Sequence, residues 1–139
     1  MEYRTGNETI VVRMLPGEDY LESLTQVCRE SGTGTAVVLS SIGQLRDVQL
    51  GYFAGPGDYS PEKFPGPCEL LSVSGSISLT NDRHIPHLHA VLGQPDKSVI
   101  GGHLISGTVD ITNETVLSVM DIPMSRSLNP STGLWDLVP

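Results

Sequence analysis

Glu69-Leu70-Leu71-Ser72-Val73-Ser74-Gly75-Ser76-Ile77-Ser78-Leu79 is the stretch whose reading decides the fold. Leu71, Val73, Ile77 and Leu79 alternate with small polar residues, and a period of two places them on one face of a β-strand. Downstream, His87 to Leu92, Val99 to Val109 and Thr115 to Met120 also read as strands. The turn-rich Gly93-Gln94-Pro95-Asp96-Lys97-Ser98 separates the first two of these. Upstream, Glu8 to Leu15 is a β-branched strand ended by Pro16-Gly17. Thr35-Ala36-Val37-Val38-Leu39-Ser40 is a near-continuous apolar run, as in a strand buried on both faces. Val48 to Phe53 follows as another strand.

Between the first two strands lies a helix of about four turns. Asp19 followed by Glu22 matches a capping box, Leu21, Leu24 and Cys28 recur on one stripe, and Gly32 stands where a helix C-terminal glycine belongs. The segment from Ala54 to Pro67, with four prolines and three glycines, reads as an exposed irregular loop. The tail after Pro123 is polar and Pro-punctuated, but Leu134, Trp135 and Leu137 imply that it docks. The fold expected is α+β: one principal helix on a mostly antiparallel, strongly curved central sheet. One domain spans residues 1–139, with its core over about 8–121 and a C-terminal tail over 122–139.

Composition narrows the function classes. The 139 residues carry 16 acidic and 8 basic side chains, a formal net charge of −8, and the mean hydropathy of −0.03 fits a soluble globular chain. The longest apolar runs stop after four residues, far short of a membrane span. Met1-Glu2-Tyr3-Arg4-Thr5-Gly6 lacks the features of a secretory leader. Cys28 and Cys68 are too few for a disulfide framework and read as reduced thiols, so a cytoplasmic protein with no membrane partner is expected. The basic residues are scattered and the pI is about 4.7, which opposes nucleic-acid binding by a single chain.

Three of the four histidines fall in two adjacent strands. His87 and His89 are two positions apart and share a strand face, about 6.6 Å apart along the strand. A hairpin centred on Asp96 sets His103 directly opposite His89, on the same face. Three imidazoles with an open fourth position form a catalytic-type zinc arrangement, which another divalent transition metal could also occupy. A one-residue shift of the turn would undo it, leaving histidines that only hydrogen-bond on a polar strand face. Glu69, a charge entering a strand otherwise read as core, is the candidate catalytic carboxylate, and Glu69 or Asp110 could orient a ligating ring. Gly101-Gly102 reads as a bulge or a close backbone approach, since no phosphate-loop fingerprint surrounds it.

The helix with Thr35 to Gly43, Glu69 to Ser76, Pro86 to Gly93 and Val99 to Leu104 together resemble the plant-and-prokaryote conserved (PPC) domain family, from about Gly17 to Asp121. The resemblance implies an α+β domain assembled as a homotrimer. Plant members follow an AT-hook and act on AT-rich DNA, and stand-alone prokaryotic members carry a DNA-binding label. No Arg-Gly-Arg-Pro hook occurs in this chain, and it keeps His87, His89 and His103, which plant members lack. It is thus similar to the prokaryotic branch found with metal bound near the trimer contacts. Two functions follow. One is a homotrimeric metal-binding module with a regulatory, DNA-binding role, although a trimer would triple the negative charge. The other is a metal-dependent enzyme or small-ligand sensor using the three-His site, with Glu69 as proton carrier.

Overall fold

A computed structural model describes residues 1–139. Nine strands and one helix follow in the order β1 (Glu2–Thr5), β2 (Thr9–Met14), α1 (Tyr20–Glu30), β3 (Thr35–Gly51), β4 (Glu62–Phe64), β5 (Cys68–Thr80), β6 (Arg83–Gly93), β7 (Val99–Val119), β8 (Ser125–Leu128) and β9 (Trp135–Val138). Every strand pairing is antiparallel. The large sheet runs β1-β2-β7-β6-β5-β3-β4, and β7 pairs with β3 as well. β3, β5, β6 and β7 therefore close into a ring, which is the strong curvature expected of the sheet. β7 can serve three neighbours because it is 21 residues long: its first half pairs β6, its second half β2, and both halves run along β3.

The helix starts and stops as its sequence dictates. The Asp19 carboxylate accepts from the Glu22 N–H at 2.8 Å, satisfying an otherwise orphaned donor. The reciprocal half of the box does not form, because Glu22 faces Arg29 instead at 3.3 Å. At the other end, Thr33 N–H donates to the Cys28 carbonyl and Gly32 N–H to that of Arg29, a Schellman closure. The helix spans 11 residues, about three turns rather than four. Its buried face, Tyr20, Leu24, Val27 and Cys28, joins Ile10, Val12, Met14, Ile77, Leu88, Leu92 and Leu117 in the core.

Several expectations are corrected. Leu39 is 60% exposed, so Thr35–Ser40 is not buried on both faces. A single helix covers only part of the sheet, and the outward side of β3 is left uncovered. Val48 to Phe53 is not a separate strand: Val48 to Gly51 is the end of β3, which passes through several register shifts, and Tyr52 and Phe53 lie beyond it. Val99 to Val109 and Thr115 to Met120 likewise fuse into β7. In β5 a register shift between Leu70 and Ser72 turns Leu70 inward and Leu71 out, while Val73 and Ile77 are buried as read. The segment 54–67 is not wholly irregular: its Pro-free Glu62–Phe64 pairs with β3 as an edge strand. β6 begins at Arg83 despite Pro86, which is tolerated because residues before His89 pair with β5 alone. The tail does dock. Its β8–β9 hairpin is tied to the sheet by Arg126 N–H donating to Thr80 Oγ1 at 2.9 Å and Met124 N–H to Thr35 Oγ1 at 3.0 Å.

Candidate metal centre

β6 and β7 bring the three histidines together by register. His89 pairs directly with His103, as a turn around Asp96 requires, and His87 projects from the same face two residues earlier. Ring centroids stand 5.4 Å apart for His87 and His89, 5.3 Å for His87 and His103, and 5.6 Å for His89 and His103. One nitrogen from each ring lies within 4.8 Å of the other two. Nitrogens sharing a tetrahedral ion at Zn–N of about 2.0–2.1 Å sit roughly 3.4 Å apart. Small side-chain rotations span the difference.

The electrostatics suit a metal. Burial pushes the His103 pKa down to about 4, with His87, His89 and Arg126 adding to the effect. The His87 pKa is lowered too, by burial first and then by Arg126. Both rings are therefore neutral ligands at neutral pH. His103 Nδ1 is buried with no hydrogen-bond partner, the kind of orphaned polar atom that a bound ion would satisfy. The residues present fit a divalent transition ion. His84 does not join them, since its Nε2 is engaged with the Thr33 carbonyl at 2.8 Å.

The carboxylates proposed from sequence are elsewhere. Glu69 pairs in register with Gly93, while His89 pairs with Ser74, five residues further along β5, so Glu69 lies about 17 Å away along the strand. Its carboxylate accepts from Gln44 at 3.0 Å. Glu69 is exposed, and within one chain it does not meet the histidines. Asp110 is paired with Arg46 at 3.3 Å and orients no ring.

Other residues close the site. The Tyr59 ring leans on His103 at 5.0 Å between centroids. From the C-terminal hairpin, Arg126 donates from Nη1 to His87 Nδ1 at 3.2 Å and to the Trp135 carbonyl at 3.1 Å, and from Nη2 to Ser76 Oγ at 3.2 Å. The histidines open into a cavity of about 720 Å³, walled on one side by β5 and β6 and on the other by Trp135 and its neighbours. Sequence reading passed over Arg126 because one arginine in a polar tail carries no motif. Gly75 was also missed. Its φ is +140°, and a Cβ there would lie 2.0 Å from the His87 carbonyl oxygen. Gly101 and Gly102 are close-approach positions as read: a Cβ on either would meet a backbone oxygen, of Ala90 and Gly51 respectively, at 2.9 Å.

A structure from Archaeoglobus fulgidus, described as a metal-containing protein, superposes with a TM-score of 0.84 at 29% identity, covering 99% of this chain and 97% of that one. A plant- and prokaryote-conserved protein from Pyrococcus horikoshii gives 0.83 at 27% identity over 99% and 96% of the two chains. A candidate DNA-binding protein from Bacteroides thetaiotaomicron gives 0.91 at 26% identity, with the same coverages. Among curated proteins, the bifunctional protein GlmU of Synechococcus sp. strain JA-3-3Ab is 27% identical over 128 residues, 91% of this chain. The chain spans about a fifth (20%) of that relative's length. Residues 1–121 match the model of the Plants and Prokaryotes Conserved (PCC, or PPC) domain, and the chain belongs to that family.

Proposed function

We propose that this chain is a PPC-domain module that holds a divalent transition metal, zinc in the first instance, on His87, His89 and His103, and presents the ion's open position to a small ligand. The observation that carries this reading is the convergence of three imidazole nitrogens within 4.8 Å in the lining of a cavity. Three neutral ligands leave a tetrahedral ion one free position. When bound, the ion would supply Lewis acidity at that position. Holding a ligand fits better than turning one over, because Glu69 is not at hand as a proton carrier and Asp136, the acidic residue lining the cavity, is engaged by Asn129 at 2.8 Å.

A homotrimer fits the surface. Leu71, Val91 and Val99, on the adjacent strands β5, β6 and β7, are exposed, as are Leu39 and Ile42 on β3. Self-association would cover such apolar strand surface. A regulatory role through direct DNA contact has less support. Arg13, Arg29 and Arg46 are paired with carboxylates, Arg126 is buried, and the remaining Arg4, Lys63, Arg83 and Lys97 lie on separate elements.

Elemental analysis of untagged protein beside His89→Ala tests the reading. One equivalent of metal per chain, lost in the variant, is the expected result. Absence of metal from wild type, even after incubation with zinc, would reduce the histidines to ordinary strand residues.

A further inference from the structure

Arg126 is 7% exposed, yet no carboxylate lies in ion-pair contact with it. Its partners are all uncharged: His87, the Trp135 carbonyl and Ser76. Its Nε is buried with no partner at all. In a chain of net charge −8, carboxylates are plentiful, so a buried guanidinium without one is a specific arrangement. Burying an unpaired charge is costly unless something compensates it.

A metal on the histidines sharpens the imbalance. Three neutral imidazoles leave the ion's double charge intact, next to a guanidinium. Arg126 also loses a hydrogen-bond acceptor. A guanidinium can only donate, so His87 Nδ1 must now accept from it. A neutral His87 that ligates through Nδ1 has no lone pair left for Arg126, and one that ligates through Nε2 carries its proton on Nδ1. In either case this Nη1–H is released, beside the unpartnered Nε–H. Two cationic centres then face one cavity, whose apolar lining comprises Ile85 and Pro86 beside His87 on β6 and Leu134, Trp135 and Leu137 on the opposite wall, where the one lining carboxylate, Asp136, is engaged by Asn129 at 2.8 Å. Its size, about 720 Å³, is that of a small-molecule site.

We propose that this cavity binds a small organic carboxylate, its head between Arg126 and the histidine centre and its apolar body against Trp135. The planar fork of the guanidinium matches a carboxylate, and the apolar side chains Leu134, Trp135 and Leu137 suit an aromatic or aliphatic body. The part played by the metal rests on the function proposed above, whereas Arg126 and Trp135 provide a readout of their own.

The test uses the Co(II)-loaded protein with phenylacetate, its uncharged analogue phenylacetamide, and acetate. Visible Co(II) bands report the metal, and Trp135, the only tryptophan in the chain, reports the cavity by fluorescence. Phenylacetate should change both signals, phenylacetamide neither, and acetate should bind more weakly than phenylacetate. Arg126→Gln should weaken phenylacetate about 10- to 100-fold, the scale of one charge-assisted hydrogen bond. Arg126→Lys, which keeps the charge in a folded protein, should fall between. If Co(II) gives no bound spectrum but phenylacetate still quenches Trp135 in an Arg126-dependent way, the metal reading fails and the carboxylate site stands. If the bands form but phenylacetate and phenylacetamide behave alike, or both Arg126 variants bind phenylacetate as wild type does, the carboxylate site is overturned and the metal survives.

Discussion

Gly75 on β5, opposite Leu88 in register, backs onto the His87 carbonyl of the neighbouring strand: a Cβ at Gly75 would stand 2.0 Å from that oxygen. The two strands can approach so closely only where one has no side chain, and the φ of +140° excludes most L-residues as well. Gly75→Ala should therefore displace β6 at His87. We expect a loss of about 2–4 kcal/mol in denaturant unfolding, together with loss of bound metal. A variant that stays folded and retains full metal content would show that His87 is not held by this contact.

The histidines should divide sharply. His103→Ala removes one of three ligands and should lower zinc affinity by at least about 100-fold by competition with a chelating dye. His84→Ala should leave that affinity unchanged, since His84 faces the Thr33 carbonyl. Its cost should be confined to stability, about 1 kcal/mol for one hydrogen bond.

Capping makes a separable prediction. Asp19→Ala removes the acceptor for Glu22 N–H and should cost about 1 kcal/mol. In a domain of this size that lowers Tm by roughly 2–5 °C. Metal stoichiometry should not change, because the cap and the histidines share no partner.

Stability should fall at alkaline pH through Cys28. Burial raises its pKa from the ordinary 9.0 to about 11. The unfolded thiol ionises first, so between these values the unfolded state binds fewer protons than the native one. The contribution is complete below about pH 9 and is lost as pH rises towards 11. Urea midpoints measured across that window should decline in wild type and decline less in Cys28→Ala.

Duplex DNA should not be retarded by the protein at about 50 mM salt, where electrostatic binding is strongest among ordinary conditions. Retardation that weakens steeply with added salt would mean that assembly gathers Arg4, Lys63, Arg83 and Lys97 from different chains into one basic surface.

Much of the molecule was legible because local patterns and tertiary structure agree. Alternation located β5, strand-like segments marked parts of β6 and β7, Asp19 and Gly32 bounded the helix, and the turn around Asp96 alone sufficed to set His89 against His103. What escaped reading depends on contacts distant in sequence. The bulge that turns Leu71 outward leaves no signature in a run of alternating residues. Pro86 disguised the start of β6, because its tolerance follows from which neighbours β6 has. Glu69 was read as a site residue through its charge alone, whereas its position along β5 removes it from the histidines. Arg126 meets His87 across 39 positions, a pairing no local rule anticipates.

The three histidines lie within residues 1–121, which the family model matches, whereas Arg126 and Trp135 belong to the hairpin that follows. On the function proposed here, scaffold and selectivity are written in separate stretches of one gene product. Grafting a different terminal hairpin onto the same barrel should retune which molecule is held while sparing the metal, so descendants of one ancestral ring of strands could diversify their chemistry by editing only the last few residues of the chain.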